Sequence, residues 1–406
     1  MEILQKLKKN DFAYMLFLSV IALYPRLRYF FSQYYSPAGL PRANDTAWYI
    51  EHANTLLHSF KIDIHYNGIF YLGYYGLLAL MLFVFKTEAL VIFVQVLVNA
   101  FSVSLVYKIA SIVFNRRAGI FAGLLYAFTW SVISWSMFIL SDSFFISLLL
   151  LNVYFLLCYY KFSNRKYLYC FLISSFYMVF FRPTGIITLT FILLYIMINL
   201  NLKSAKAFLA RRTAVLVSCF VILGGITVYV LTSGVLNSLF TSFKWSIMWI
   251  LYTVYSNGQI FDVPTRFDYK FDAIKTVNYF DNFFISYFIN NWYHIIVLYC
   301  RKAVFFWAFS LKDFLQHIKY QSYFIVAYFF SFIGLLSIFK QKLLKRASVL
   351  MLVILSIQIF CIVFFMDSSF RYRDPALVFL NMIAGFGIDR MISFGQAGLK
   401  QITGKV

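Results

Sequence analysis

Two aspartates stand in short polar breaks between long apolar runs. Asp45 lies in Gly39-Leu40-Pro41-Arg42-Ala43-Asn44-Asp45-Thr46-Ala47-Trp48-Tyr49-Ile50-Glu51, and Asp142 in Ile139-Leu140-Ser141-Asp142-Ser143. An aspartate at the start of a helix can cap its free N–H groups. It can also stay ionised and take a proton from a hydroxyl, as a general base. The cations recur near proline. Arg182 precedes Pro183, and Arg371, Tyr372 and Arg373 precede Pro375. Proline suits the first turn of a helix, so each site joins guanidinium groups to a helix N-terminus, which attracts anions. Arginine grips phosphate oxygens through two parallel hydrogen bonds, although an arginine at a membrane boundary can also snorkel to headgroups. Arg301-Lys302 is a pair of the same kind, interrupting an apolar stretch. His52, His58 and His65 share one segment but form no HExxH, so no metal ligands are assigned and a divalent metal is left open. The five cysteines contain no CxxC pair, which argues against a disulfide framework or zinc ribbon.

These groups must be held by helices in a bilayer. The chain is 62% hydrophobic and only 13% charged, which rules out a water-soluble globule. In so apolar a chain a net charge of +21 reads as topology rather than as nucleic-acid binding. A spanning helix needs about 20 apolar residues, and candidates lie at 12–30, 90–110, 118–140, 143–160, 167–181, 184–200, 213–233, 322–339, 347–366 and 375–393. The first follows Lys6, Lys8 and Lys9 as a signal peptide would, but Pro25-Arg26-Leu27-Arg28 replaces the small-residue cleavage site, so we expect a retained helix.

Two further stretches, 69–86 and 293–310, are decided by the positive-inside rule. The basic connections around Lys108/Arg116/Arg117, Lys161/Arg165/Lys166, Lys203/Arg211 and Lys340/Arg346 all fall inside only if neither stretch spans, and we place both in the outer interface. If both span, the total rises to about twelve. The expected fold is therefore an all-α polytopic membrane protein: one integral domain over 1–406, with about ten (range 10–12) spans and outward-facing interfacial helices. Its long outer segments are 31–89 and 234–321. Of the acids, only Glu2, Asp11 and Asp389 fall inside, which makes the outer side the working face.

The order of these motifs carries a resemblance. Asn44-Asp45-Thr46-Ala47-Trp48-Tyr49-Ile50, Asn115-Arg116-Arg117-Ala118-Gly119, Leu140-Ser141-Asp142, Phe181-Arg182-Pro183-Thr184-Gly185 and Arg371-Tyr372-Arg373-Asp374-Pro375 resemble the polyprenyl-phosphate-dependent GT-C glycosyltransferases. That clan includes the protein O-mannosyltransferases and the lipid A aminoarabinose transferase. The resemblance runs through nearly the whole chain and is clearest over 40–185. It implies that Asp45 is the first-loop acid and catalytic base, that Asp142 is the acid after the third helix, and that the late Arg371/Arg373 pair lies near the donor phosphate.

With Arg182, Arg301, Lys302 and Tyr372 these form the expected substrate-binding set. The implied partners are a polyprenyl-phosphate-linked sugar, a hydroxyl-bearing acceptor and the bilayer, and the implied place is a multi-pass cell membrane protein acting outward. The chain departs from the family where Asn44-Asp45 replaces an acidic pair and where Asn67-Gly68-Ile69 replaces a Pro-rich helix start. A polysaccharide polymerase or ligase and a lipid or sugar transporter are the competing readings. The transporter would need ionisable groups near the membrane midplane.

Overall fold

The computed structural model describes residues 2–199, 235–308, 318–364, 366 and 371–403, so the expected span 213–233 lies outside the described residues. The chain is an all-α polytopic membrane protein. Five described helical stretches are long and apolar enough to cross a bilayer: Glu88–Val113, Ser141–Phe162, Tyr323–Lys340, Leu344–Val363 and Arg371–Gln396.

The helices follow the apolar runs. They are α1 (Glu2–Tyr34), α2 (Thr46–Ser59), α3 (Tyr66–Phe70), α4 (Leu72–Phe85), α5 (Glu88–Phe101), α6 (Val103–Val113), α7 (Arg116–Ala127), α8 (Trp130–Trp135), α9 (Ser141–Phe162), α10 (Arg165–Val179) and α11 (Pro183–Asn199). After the gap come α12 (Val235–Trp249), which runs into a π turn over Ile250–Tyr255, then α13 (Phe283–Asn290), α14 (Trp292–Trp307), α15 (Ile318–Lys340), α16 (Leu344–Val363) and α17 (Asp374–Thr403). The stretch expected at 69–86 is α3 and α4, and that at 293–310 is α14. At 14 and 16 residues, α4 and α14 are shorter than a typical span, as are α10 and α11 at 15 and 17, so the charge of the connections rather than length distinguishes them.

One expected span is corrected. Residues 118–140 do not form one helix, because the chain breaks at Phe128-Thr129 and turns again before Ser141. The break survives in an apolar bundle because buried side chains satisfy its carbonyls. Arg26, fully buried on α1, donates to the Ala127 carbonyl at 3.0 Å, to the Ala22 carbonyl at 2.9 Å and to Asn99 Oδ1 at 2.7 Å. Gln95 donates to the carbonyls of Ser136 and Phe138 at 2.8 and 2.7 Å. Thr129 donates to the Leu125 carbonyl at 2.9 Å and accepts from Asn381 on α17 at 3.0 Å.

Helix α17 forms the centre of the packing, against α7, α15 and α16, while α1 lies on α5 and α7. Small residues set the distance. A Cβ at Gly385 would come within 2.5 Å of the Ala122 backbone nitrogen on α7, so only glycine allows the approach.

Charged groups mark the two ends of the bundle. At one end Asp11 binds Lys108 at 2.9 Å and Arg116 at 3.0 Å, and Asp389 binds Arg390 at 2.7 Å and Arg117 at 3.2 Å. At the other end lie Asp45 and Asp142. Some 18 residues of helix separate Arg371 from Asp389, about 27 Å.

Candidate functional site

Helix α2 is pinned at its start. Thr46 Oγ1 accepts from the Ala43 N–H at 3.1 Å and donates to the Ile139 carbonyl at 3.3 Å, and the Tyr49 hydroxyl lies 3.3 Å from Ser141 Oγ. These bonds tie the first polar break to the second and bring Asp45 and Asp142 to one place. Asp45 occupies the position before α2, yet its side chain makes no capping bond. Its Oδ2 instead accepts from Arg371 Nη2 at 2.6 Å, across 326 positions of sequence. The capping role is therefore set aside for Asp45. Asp142 does not cap either. It lies in the first turn of α9, buried, and pairs with the buried guanidinium of Arg182.

The two ion pairs share one aromatic ring. The Arg182 guanidinium lies 4.4 Å from the centre of the Tyr372 ring and that of Arg371 4.9 Å from it, while Arg371 also donates to the Tyr372 hydroxyl at 3.2 Å. The result is a chain of contacts, Asp142 to Arg182 to Tyr372 to Arg371 to Asp45. Its members come from α9, from the turn before α11, from the 3-10 turn Arg371–Arg373, and from the break before α2.

The resemblance set the late arginines together, but the 3-10 turn sends them apart. Arg373 donates to the carbonyls of Phe306 at 3.1 Å and Ala308 at 2.9 Å, and so caps the end of α14. Arg301 lies 4.3 Å from the Tyr269 ring and does not reach the cavity described below, and neither does the fully buried Lys302, whose amine sits 4.4 Å from the Tyr255 ring. Burial pushes that amine down to about 7.

A cavity of about 710 Å³ opens over Asp45. It is lined by the polar side chains of Asn44, Asp45, Tyr71, Arg182 and Tyr372 and by aromatic and apolar ones that include Trp48, Tyr49, Tyr66, Phe243, Trp249 and Phe360. The Asp45 side chain is 48% exposed and Arg371 only 11%, so a molecule in the cavity meets the carboxylate with the guanidinium behind it. Arg182 also lines the cavity. Burial raises the pKa of the Tyr71 hydroxyl above its ordinary value, so at neutral pH it is a neutral donor and acceptor.

Sequence reasoning marked the long outer segment 234–321 but named none of the α12 residues that line the cavity, because nothing in an aromatic stretch singles out Phe243 or Trp249. Three links place the neighbours of α12. Tyr66 N–H donates to Ser242 Oγ at 2.8 Å, which docks α3 on α12. Gly73 N–H donates to the Phe180 carbonyl at 2.7 Å, and the Tyr177 hydroxyl to the Gly73 carbonyl at 2.7 Å, which fix α4 beside Arg182.

Two of the histidines of the first segment meet on Asp63. His52 Nε2 lies 3.3 Å from Asp63 Oδ2 and His65 Nδ1 2.5 Å from Oδ1. Burial acts to raise the Asp63 carboxyl, but bonds from the His65 backbone and the two rings outweigh it and hold the group below its usual value. Among the described residues no three His, Cys, Asp or Glu side chains are arranged to hold a metal ion.

The family model described as dolichyl-phosphate-mannose-protein mannosyltransferase matches residues 72–224. This segment contains Asp142 and Arg182, and it bears out the resemblance to GT-C glycosyltransferases drawn from the motifs. No curated protein matches the chain. Among solved structures it is similar to the archaeal oligosaccharyltransferase AglB from Archaeoglobus fulgidus, in complex with an inhibitory peptide and a dolichol-phosphate. The likeness has 13% identity and a TM-score of 0.46, and covers 97% of this chain and 52% of that one. The chain thus spans about half the length of that structure.

Proposed function

We propose that this chain is a membrane glycosyltransferase that takes a sugar from a polyprenyl-phosphate carrier at the outer face and passes it to a hydroxyl on a glycan, glycolipid or protein. The observation that carries the reading is the setting of Asp45: a half-exposed carboxylate, relieved of capping duty, that lines an aromatic cavity, with the Arg371 guanidinium bound to it and Arg182 lining the same cavity. Asp45 takes the proton of the acceptor hydroxyl. The oxygen attacks the anomeric carbon from the side opposite the phosphate, which inverts its configuration. Arg182 and Arg371 stabilise the charge that grows on the leaving phosphate. The aromatic walls suit the flat faces of a sugar and the first isoprene units, while the rest of the lipid stays in the bilayer.

Asp142 positions Arg182, and Arg373 holds the turn that presents Arg371. The transporter reading draws less support. The buried cation Arg26 is engaged with helix carbonyls and Asn99.

The test is transfer from radiolabelled polyprenyl-phosphate sugars by the purified protein, scored separately into glycan, glycolipid and protein. Asp45→Asn should lower transfer by about 100-fold or more, the smaller end of what a positioned base contributes. Full activity of that variant would favour a polymerase or ligase that needs no first-loop acid.

A further inference from the structure

The two roles just assigned to Asp45 and Arg371 conflict in the structure as it stands. A base must offer its oxygens to an acceptor hydroxyl, and a phosphate-binding guanidinium must offer its N–H groups to the donor. Here an N–H of Arg371, on Nη2, is donated to Asp45 Oδ2, at 2.6 Å. Asp45 lines the cavity and its side chain is 48% exposed, whereas Arg371 is 11% exposed and does not line it. A phosphate that takes the Nη2 N–H of Arg371 therefore has to displace the carboxylate from it. The nearby guanidinium of Arg182 is held by Asp142, and there both partners are buried, so that pair has no solvent-facing partner to let go.

Resting on the donor reading above, we propose that Arg371 is a counterion that changes partners during the reaction, from the Asp45 carboxylate to the phosphate of the lipid carrier. The exchange is tied to the bonds that form and break. The acceptor O–H bond breaks and its proton passes to Asp45. The oxygen forms its bond to the anomeric carbon, and the bond from that carbon to the phosphate oxygen breaks, its electron pair staying on the phosphate. Asp45 thereby loses its negative charge at the moment the phosphate gains one. The guanidinium follows the charge, and the Tyr372 ring and hydroxyl give it a fixed support for either partner.

The exchange model makes a prediction that mere positioning of Asp45 by Arg371 does not. If the carboxylate competes with phosphate for Arg371, removing its charge must strengthen phosphate binding. The probe is a polyprenyl monophosphate, the product of transfer, titrated onto the full-length protein in lipid nanodiscs with no sugar present.

Asp45→Asn and Asp45→Ala should each bind it about fivefold or more tightly than wild type, the lower range of a coupling between two sites. Arg371→Gln should bind it more weakly. Asp45→Asn combined with Arg371→Gln should behave as Arg371→Gln alone, with no tightening. Unchanged or weaker binding in both Asp45 variants overturns the exchange while leaving the glycosyltransferase reading intact. Tightening that survives in the double variant overturns it too, since another cation must then be responsible. If wild type itself does not bind the probe, the donor reading fails and the exchange with it.

Discussion

At the scale of single residues, two carboxylates of the same chemistry are set apart by burial. Asp45 is half-exposed, and in Asp45→Asn the amide oxygen can still accept from Arg371, which is itself 11% exposed. Asp142 and Arg182 are at most 5% exposed, and removing one charge strands the other in a medium that cannot solvate it. Breaking such a buried pair costs about 3–5 kcal/mol. Asp142→Asn should therefore lower the thermal unfolding midpoint in detergent and reduce the yield of folded protein, while Asp45→Asn leaves the midpoint near wild type and removes activity alone. Equal midpoints for the two would mean that Arg182 finds another acceptor, and that Asp142 is not what holds it. The sequence reading could name both acids, because each stands alone between apolar runs. It could not rank them, since burial is decided by distant partners: Arg182 lies 40 positions from Asp142, and Arg371 lies 326 from Asp45. The same limit explains Arg373, which shares a three-residue turn with Arg371 yet faces helix carbonyls.

Among the elements, hydropathy located the long helices well. Residues 143–160 and 375–393 lie within α9 and α17, and 347–366 largely covers α16. It failed where polar side chains replace water inside the bundle. The run 118–140 is apolar throughout its break, and what allows the break is Arg26, Gln95 and Asn381 from three other helices. A periodicity argument sees none of them. That break delivers the turn before α9, and hence the Ile139 carbonyl and Ser141 hydroxyl on which α2 is pinned. Arg26→Met keeps most of the side-chain volume but leaves the Ala127 carbonyl and Asn99 Oδ1 short of a donor, at about 1–3 kcal/mol for each buried group left unsatisfied. We expect a lower unfolding midpoint and a loss of transfer that exceeds the loss of folded protein. Activity per folded molecule equal to wild type would show that α7 and α8 do not position the site.

Over the whole molecule, charge and fold agree on a polarity. The helices place Asp11, Asp389 and the basic residues Lys108, Arg116, Arg117 and Arg390 at one end, and Asp45, Asp142, Arg182 and Arg371 at the other. Positive residues are retained on the cytoplasmic side of a membrane. On this ground we propose that the end bearing Asp45 faces outward, where the phosphate of a lipid-linked sugar would have to be for its sugar to join an external acceptor. Orientation is then measurable without any activity. In a variant lacking the five native cysteines, single cysteines at the exposed positions Ala38, Lys61 and Thr276 should react with a membrane-impermeant maleimide on intact cells. Those at Ser163 and Gln341, exposed at the ends of α9 and α15, should react only after permeabilisation. The reverse pattern would put Asp45 in the cytoplasm, and transfer would then have to use an acceptor made there. A mixed pattern within the first group would mean that α4 or α14 crosses the bilayer after all, separating the break before α2 from the segment near residue 276.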